Sequence, residues 1–311
     1  MPSATGLTRA HTHLRRAPYN PSRTMTQPLR VGGVPEHFNT PFYRAAERNL
    51  FADQPFDYSF TEYFGGTGQM LAALDAGELD VVVLLTEGVV THIAKGGDAT
   101  ILGTYVTSPL IWGVHVHADS PYTSIEELRG QPFAISRPRS GSHIMAYVLA
   151  AEYGWDPRTE MSFEQVGDLA GARVALAEGR GTAFMWEKFT TKPVVDSGEW
   201  RRVGTCATPW APFVIVSRRD FARQRSEDLN TLFATLQTLT EELKHEREAT
   251  IADIVARFGQ RPEDAAAWLE LTSWAVRPGI DQPELTRVID TLTEVGVLDA
   301  PLADEDVLFP R

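Results

Sequence analysis

The length, composition and charge of the chain limit what it can be. Its 311 residues are enough for two domains of ordinary size, and 43% hydrophobic with 23% charged residues describe a chain that buries a core. The net charge of −12 argues against nucleic-acid binding, which needs a basic surface. The single cysteine, Cys206, excludes an internal disulfide. Membrane insertion is not expected, because no segment approaches the ~20 apolar residues of a spanning helix.

The first 35 residues contain five arginines and no acidic residue. They lack the apolar stretch of ~7–15 residues that a secretory signal needs, so a cytoplasmic location is expected. The Arg-rich, acid-free composition resembles an organelle transit peptide, and a start at Met25 behind a disordered extension is the alternative. In either case residues 1–28 are expected to add little to fold stability, since they show no apolar periodicity.

Strands and helices alternate along residues 29–106, which is typical of βαβ units around a mainly parallel sheet. Thr40 and Pro41 indicate the N-cap and first position of a helix. The run of Val and Leu over 79–85 is typical of a strand buried on both faces. The predicted strands are 29–34, 58–63, 79–85 and 100–106.

A second α/β set follows over residues 110–206. Its predicted strands are 110–117, 133–136, 162–166, 182–186 and 202–206. Residues 124–127 form a capping box, and Ser140-Gly141-Ser142 opens a longer helix. After one more strand at 213–216 the pattern becomes helical to the end of the chain, with leucines at helical spacing from Leu229 onward.

Four segments together resemble the family of sulfonate, taurine and thiamine-precursor binding proteins, which includes the thiamine-pyrimidine synthases of yeast. They are residues 29–35, 67–85, 125–142 and 175–187, and they include the phrases Ala72-Ala73-Leu74-Asp75-Ala76-Gly77-Glu78-Leu79-Asp80-Val81 and Ile125-Glu126-Glu127-Leu128-Arg129-Gly130. The chain is most similar to the non-exported subgroup. It departs from the yeast synthases because Cys206 stands alone where they carry a cysteine-rich motif.

The resemblance implies a two-lobed, type-2 periplasmic-binding-protein fold of the α/β class, with a hinge and a helical C-terminal region. One lobe would hold residues 29–107 and 209–311, and the other would hold residues 108–208. The chain would cross near Thr107-Ser108 and return near 208–212.

Ligands of open α/β sheets bind beyond the carboxyl ends of the strands, and this rule selects a set of loops without reference to any family. In these loops Ser140 to Ser142 and Arg137 offer a helix N-terminus and a guanidinium to an anion. Phe38 and Trp186 offer stacking surfaces to a flat ligand. The predicted ligand-binding residues are Glu36, His37, Phe38, Asn39, Gly66, Thr67, Thr86, Glu87, Arg137, Ser140, Gly141, Ser142, Trp186 and Glu187.

No cofactor, metal site or catalytic motif is indicated. His115 and His117 share one face of a strand and are interpreted as a surface pair, whereas Trp112 and Trp210 are considered as further stacking groups. The leading hypothesis is reversible binding of a small polar or heteroaromatic anion by lobe closure, with a transporter permease as a candidate partner. The alternatives are a cytosolic biosynthetic enzyme of the thiamine-pyrimidine or menaquinone type, in which Glu36, His37, Glu87 or Glu187 acts as acid or base, and a regulatory sensor.

Overall fold

The computed structural model describes residues 28–309, which form two β-sheets flanked by helices. The leader predicted over residues 1–28 therefore lies outside the described residues, apart from Pro28. No described helix is both long and apolar enough to cross a membrane.

The elements follow one another in three groups along the chain. The first group is β1 (Leu29–Gly33), α1 (Thr40–Glu47), β2 (Tyr58–Glu62), α2 (Gly66–Asp75), β3 (Val81–Leu85), α3 (Thr86–Ala94) and β4 (Thr100–Val106). The second is β5 (Ile111–His117), β6 (Pro132–Ile135), α4 (Gly141–Glu152), β7 (Ser162–Gln165), α5 (Leu169–Ala177), β8 (Ala183–Glu187), α6 (Lys192–Asp196) and β9 (Trp200–Ala207). The third is β10 (Phe213–Ser217), α7 (Arg219–Gln224), α8 (Ser226–His245), α9 (Arg247–Phe258), α10 (Pro262–Leu271), β11 (Trp274–Pro278), α11 (Gln282–Glu294) and α12 (Asp304–Val307).

Each lobe is built on one sheet, which confirms the predicted α/β class. The first sheet has the strand order β11-β4-β10-β3-β1-β2, in which β1 runs parallel to β2 and β3, and β10 runs antiparallel to β3 and β4. The second has the order β7-β6-β8-β5-β9, with β6 parallel to both neighbours and β5 antiparallel to both. Side chains of β3 are almost completely buried, as its run of Val and Leu predicts.

The chain passes between the sheets twice, between β4 and β5 and again between β9 and β10. The two passages are hydrogen-bonded to each other. Leu110 N donates to Thr208 Oγ1 at 2.9 Å, and Thr208 N donates to the Leu110 carbonyl at 3.0 Å. The lobe limits given above, 29–107 with 209–311 and 108–208, stay a prediction.

Two local predictions need correction. Asn39 rather than Thr40 precedes the first residue of α1, because a 3₁₀ turn over His37–Asn39 runs directly into the helix. The hydroxyl of Thr40 donates instead to the His37 carbonyl at 2.7 Å. The C-terminal region is not wholly helical either, since β11 adds to the edge of the first sheet beside β4 and buries Trp274 and Val276.

The interpretation of His115 and His117 as a surface pair is wrong for His115. Strand β5 lies between β8 and β9, and its face at His115 is covered by Trp200 and Thr191, so His115 is 0% exposed. Its ring lies 3.0 Å (Nε2) from the Thr191 hydroxyl and packs on Trp200. The described residues contain no group of three His, Cys, Asp or Glu side chains that could hold a metal ion.

Candidate functional site

A cleft lies between the two lobes, at the carboxyl ends of β1, β3, β6 and β8. The cavity inside it has a volume of about 60 Å³, so the cleft is narrow in this form of the protein. Nine of the predicted residues line it: Glu36, Gly66, Thr67, Arg137, Ser140, Gly141, Ser142, Trp186 and Glu187. These residues were selected by the rule that ligands bind beyond the ends of parallel strands. They are far apart in sequence, and the fold places them around one cleft.

The N-terminus of α4 forms one wall of the cleft. Ser140 is its N-cap, with extended backbone and a hydroxyl 3.4 Å from His143 N. Ser142 Oγ accepts from Ser136 N at 3.0 Å and lies 3.0 Å from Ser140 Oγ, so the hydroxyls form a cluster. The N–H groups of a first helical turn have no partner within the helix, and together with the helix dipole they favour an anion.

Position 141 needs a glycine, because neighbouring side chains leave no room for a Cβ atom. A Cβ atom at this position would lie 2.6 Å from Leu85 Cδ1 and 2.7 Å from Trp112 Cη2. Leu85 ends β3 in the first sheet, and Trp112 belongs to β5 in the second. A larger side chain at this position would therefore press against both lobes at once.

Arg137 reaches from the second lobe onto the first turn of α2 in the first lobe. A Cβ atom at Gly68 would lie 2.6 Å from Arg137 Nε, so the guanidinium packs directly on this helical turn. Partial burial lowers the pKa of Arg137, but a guanidinium remains charged near neutral pH. No carboxylate of residues 28–309 pairs with it, although the described part of the chain holds many other Arg–carboxylate pairs. Arg137 is therefore a cation of the cleft that has no ion-pair partner among the described residues.

Two buried carboxyl groups line the cleft, one from each lobe. Glu36 follows β1 and is 9% exposed, and Glu187 ends β8 and is 3% exposed. Burial, followed by the charge of Glu187, raises the pKa of Glu36 to about 8. Burial also raises the pKa of Glu187 to about 7, although Phe189 N and Thr190 N donate to its Oε2 at 2.8 and 2.6 Å.

His37 lies behind these carboxyl groups rather than in the cleft lining. Its ring packs edge-on against Trp268 and stacks with Phe38. Burial lowers the pKa of His37 to about 3, so the ring is neutral at pH 7. Its Nε2 lies 3.9 Å from Glu187 Oε2, a contact between a neutral ring and a carboxyl group rather than an ion pair.

The four other predicted residues support the cleft without lining it. Phe38 packs between Phe213 and Trp268, and Asn39 Nδ2 donates to the Val34 carbonyl at 2.8 Å. Thr86 and Glu87 do not extend from the end of β3 into the cleft, because α3 begins at Thr86 and turns both side chains inward. Thr86 Oγ1 donates to the Ala211 carbonyl, and Glu87 Oε2 accepts from Trp210 Nε1 at 2.9 Å. Trp210 is consequently a buried hinge group and not a stacking wall.

Several lining residues were missed by the sequence analysis. They are mostly apolar: Val34, Phe64, Leu84, Leu85, Leu110 and Phe213. A buried apolar side chain beside a ligand has the same sequence signature as any core residue. Phe64 is different, because it is 70% exposed at the mouth of the cleft, directly before Gly65 and the start of α2.

The chain resembles known proteins both in sequence and in fold. Residues 112–206 match the family described as Ca3427-like PBP. The CA3427 gene product of Candida albicans, described as having the generic periplasmic binding protein fold, superposes with a TM-score of 0.82 at 27% identity, covering 90% of this chain and 92% of the other. No curated protein sequence matches significantly.

Two sulfonate-binding proteins also share the fold. The alkanesulfonate-binding protein SsuA of Xanthomonas axonopodis pv. citri, bound to MOPS, has a TM-score of 0.77 at 18% identity, with 90% of this chain and 97% of the other covered. The aliphatic sulphonate binding protein SsuA of Escherichia coli has a TM-score of 0.71 at 17% identity, with 91% and 92% covered. The chain therefore has the two-lobed type-2 periplasmic-binding-protein fold, which it shares with solute-binding proteins.

Proposed function

We propose that the protein reversibly binds a small anionic metabolite in the cleft between its lobes. The body of this metabolite is polar or heteroaromatic. The observation that carries this proposal is Arg137, whose guanidinium lines the cleft without an ion-pair partner among the described residues and whose backbone lies in the loop before α4. A partly buried charge without a partner is less well solvated than one in water, so a ligand that supplies a carboxylate, sulfonate or phosphate relieves part of this cost. The neighbouring hydroxyls of Ser140 and Ser142 add hydrogen-bonding capacity to the same wall.

The rest of the cleft suits a flat or apolar body. Trp112 and Trp186 meet at 74° with their ring centroids 6.4 Å apart, and Phe64 lies at the mouth. Aromatic faces of this kind provide contact area for a ring or an alkyl chain. Two similar structures are described as sulfonate-binding proteins, which supports an anionic head group. Delivery of the ligand to a transporter permease is part of the proposal and rests on the resemblance to exported binding proteins.

Native mass spectrometry of the full chain tests the anion site. We expect the purified protein to carry one small anion, which dissociates unchanged when the protein is denatured. Arg137→Gln should lose this adduct, whereas Arg139→Gln should keep it, because Arg139 is exposed and does not line the cleft. Equal retention by both variants would contradict the assignment of Arg137 to the ligand.

A biosynthetic enzyme on the same fold is the second candidate. It is favoured by one observation, namely that Glu36 has a pKa of about 8 and can hold a proton at neutral pH, as a general acid must. The neutral ring of His37 does not line the cleft, which leaves the carboxyl groups as the candidate acid and base. Chemical conversion of the bound molecule would favour this candidate over reversible binding.

A further inference from the structure

The two passages between the lobes are held by the C-terminal region of the chain. On the outgoing passage, Thr107 N donates to the Ser273 carbonyl at 2.9 Å, and Ser273 N donates to Ser108 Oγ at 2.9 Å. Ser273 directly precedes β11, which belongs to the first sheet. Hydrogen bonds in both directions therefore fix the beginning of this passage to the first lobe.

Helix α11 holds the return passage at two nearby points. Glu284 Oε2 accepts from Ala211 N at 3.0 Å, and Arg287 Nη1 donates to the Pro209 carbonyl at 2.9 Å. The two side chains stand one helical turn apart, and Arg287 Nη1 lies 3.9 Å from Glu284 Oε1. Hydrogen bonds from charged groups are stronger than those between neutral groups, so this pair is suited to holding a backbone segment in place.

The return passage is also held by α3. Thr86 N donates to the Pro212 carbonyl at 2.9 Å, and Trp210 Nε1 donates to Glu87 Oε2 at 2.9 Å. Helices α3 and α11 lie against each other beside the first sheet. Residues 209–212 are therefore held by two elements of the same lobe.

Hydrogen bonds rather than apolar packing position the passages against α11. A cavity of about 120 Å³ lies between them, and most of its lining is polar, from Thr104, Thr107, Arg277, Asp281 and Glu284. Atoms that border a cavity have no packing partner on that side, so the directional hydrogen bonds determine where the backbone lies.

We propose that Glu284 and Arg287 are positioning residues, which fix the hinge to the first lobe and thereby set the angle between the lobes. Neither side chain lines the cleft, so both act through the backbone of the return passage. Rotation of the second lobe is then confined to the short stretch around the hydrogen-bonded pair Leu110 and Thr208. Without Glu284 and Arg287 the return passage shifts more freely, and the lobes sample a wider range of angles. This role does not depend on which molecule the cleft binds.

Double electron–electron resonance between the lobes of the dialysed full chain, with no ligand added, tests the proposal. Spin labels are attached at Ala72→Cys on α2 and Val174→Cys on α5, which are exposed positions, whereas the native Cys206 is buried. We expect the distance distribution to broaden about twofold when Glu284→Ala is combined with Arg287→Ala. Glu284→Gln with Arg287→Lys keeps an acceptor for Ala211 N and a donor to the Pro209 carbonyl, and should retain the narrow distribution. The control Glu294→Ala, at an exposed position of α11, should also retain it.

Two results would overturn the proposal. One is an unchanged distribution in the folded alanine variant, even at a lower melting temperature, because the pair would then serve stability alone. The other is equal broadening in the Gln and Lys variant, because hydrogen bonding to the passage would then not be the cause. If the alanine double variant does not fold, Glu284→Ala alone and Ser108→Ala, which removes the acceptor of Ser273 N, carry the same expectation. As no ligand is added, these outcomes are independent of whether the cleft binds an anion.

Discussion

At the scale of single residues, Gly141 and Ser142 combine a close approach of the lobes with the helix N-terminus. Because a Cβ atom at Gly141 would collide with Leu85 and Trp112, we expect Gly141→Val combined with Ser142→Ala to hinder closure and remove a hydroxyl. Affinity for the co-purified molecule should fall at least tenfold, about 1.4 kcal/mol, in a calorimetric titration.

The matched control is Ala151→Val, which adds the same side chain to an exposed position of α4. It should bind as the unmodified protein does, and both variants should remain folded by circular dichroism. Unchanged affinity in the Gly141 and Ser142 double variant would move the binding site away from this helix end.

Glu87 predicts a pH-dependent stability. It is 0% exposed, its Oε1 has no hydrogen-bond partner in the described chain, and burial raises its pKa to about 7. The folded state therefore holds a proton that the unfolded state releases near pH 4.5, so this group destabilises the protein as pH rises through that window. Glu87→Gln does not titrate, and its free energy of unfolding relative to the unmodified protein should increase by about 3 kcal/mol from pH 4.5 to 8.

The measurement is thermal or denaturant unfolding of both proteins across this pH range, with Glu241→Gln as the control for an exposed carboxylate. The difference in free energy of unfolding between the Glu87 variant and the unmodified protein should grow with pH. The difference between the control and the unmodified protein should stay constant. A constant difference for Glu87→Gln would show that its carboxyl group titrates normally.

The sequence was sufficient to predict those polar residues of the cleft that stand at a recognisable place in the backbone, such as the start of a helix after a strand. Ser140 begins a helix after a strand, and Arg137 stands in the same loop, so the strand-end rule and helix chemistry both apply to them. Thr86 and Glu87 also follow a strand, but α3 begins at once and turns them into the hinge. Residue types alone do not show whether the residues after a strand form a short loop or already belong to the next helix.

At the scale of elements, α6 of the second lobe meets the start of α10 in the first through two ion pairs. Lys192 Nζ lies 3.6 Å from Asp264 Oδ2, and Arg261 Nε lies 3.4 Å from Asp196 Oδ2. Because these pairs join the lobes, Asp264→Asn and Arg261→Gln together should favour the open form. As surface pairs contribute little each, ligand affinity at low salt should fall by up to about fivefold.

Salt provides the check on this prediction. The loss of affinity should shrink at 0.5 M salt, roughly where the screening length is a few ångströms. Arg277→Gln, which removes a pair with Asp281 inside the first lobe, should leave affinity unchanged. Two results would contradict a role for these pairs in closure. One is an equal loss of affinity in the Asp264 and Arg261 double variant and in Arg277→Gln, and the other is a loss of affinity that does not depend on salt.

Strand β11 shows why the C-terminal region was predicted as helical. Its five residues follow four helices, end in Arg277 and Pro278, and bury only alternate side chains against β4. Such a short edge strand gains most of its stability from its partner strand, which periodicity cannot report. Helix α8 was predictable because its leucines recur over several turns.

At the scale of the whole molecule, the alternation of strands and helices was enough to predict two α/β units. The antiparallel strands β5, β9 and β10 were not distinguishable from parallel ones in the sequence, and they carry the chain between the lobes. The cleft depends on this geometry, since Arg137 meets Gly68 only through the pairing of the lobes. That is why the apolar lining and the isolation of His37 became visible only in the structure.

Closure about the two hydrogen-bonded passages predicts a change of shape on binding. Small-angle X-ray scattering of protein stripped of its ligand should give a larger radius of gyration than protein with the molecule added back. The Gly141 and Ser142 double variant should not contract. An unchanged radius in the unmodified protein at saturating ligand would indicate a rigid site.

The most direct test of reversible binding is mass spectrometry of the co-purified molecule before and after prolonged incubation with excess protein. We expect one molecule per chain, full recovery with unchanged mass, and loss of binding in Arg137→Gln but not in Arg139→Gln. Appearance of a product at a rate that depends on protein concentration, abolished by Glu36→Gln or Glu187→Gln, would contradict the account and assign the cleft to an enzyme.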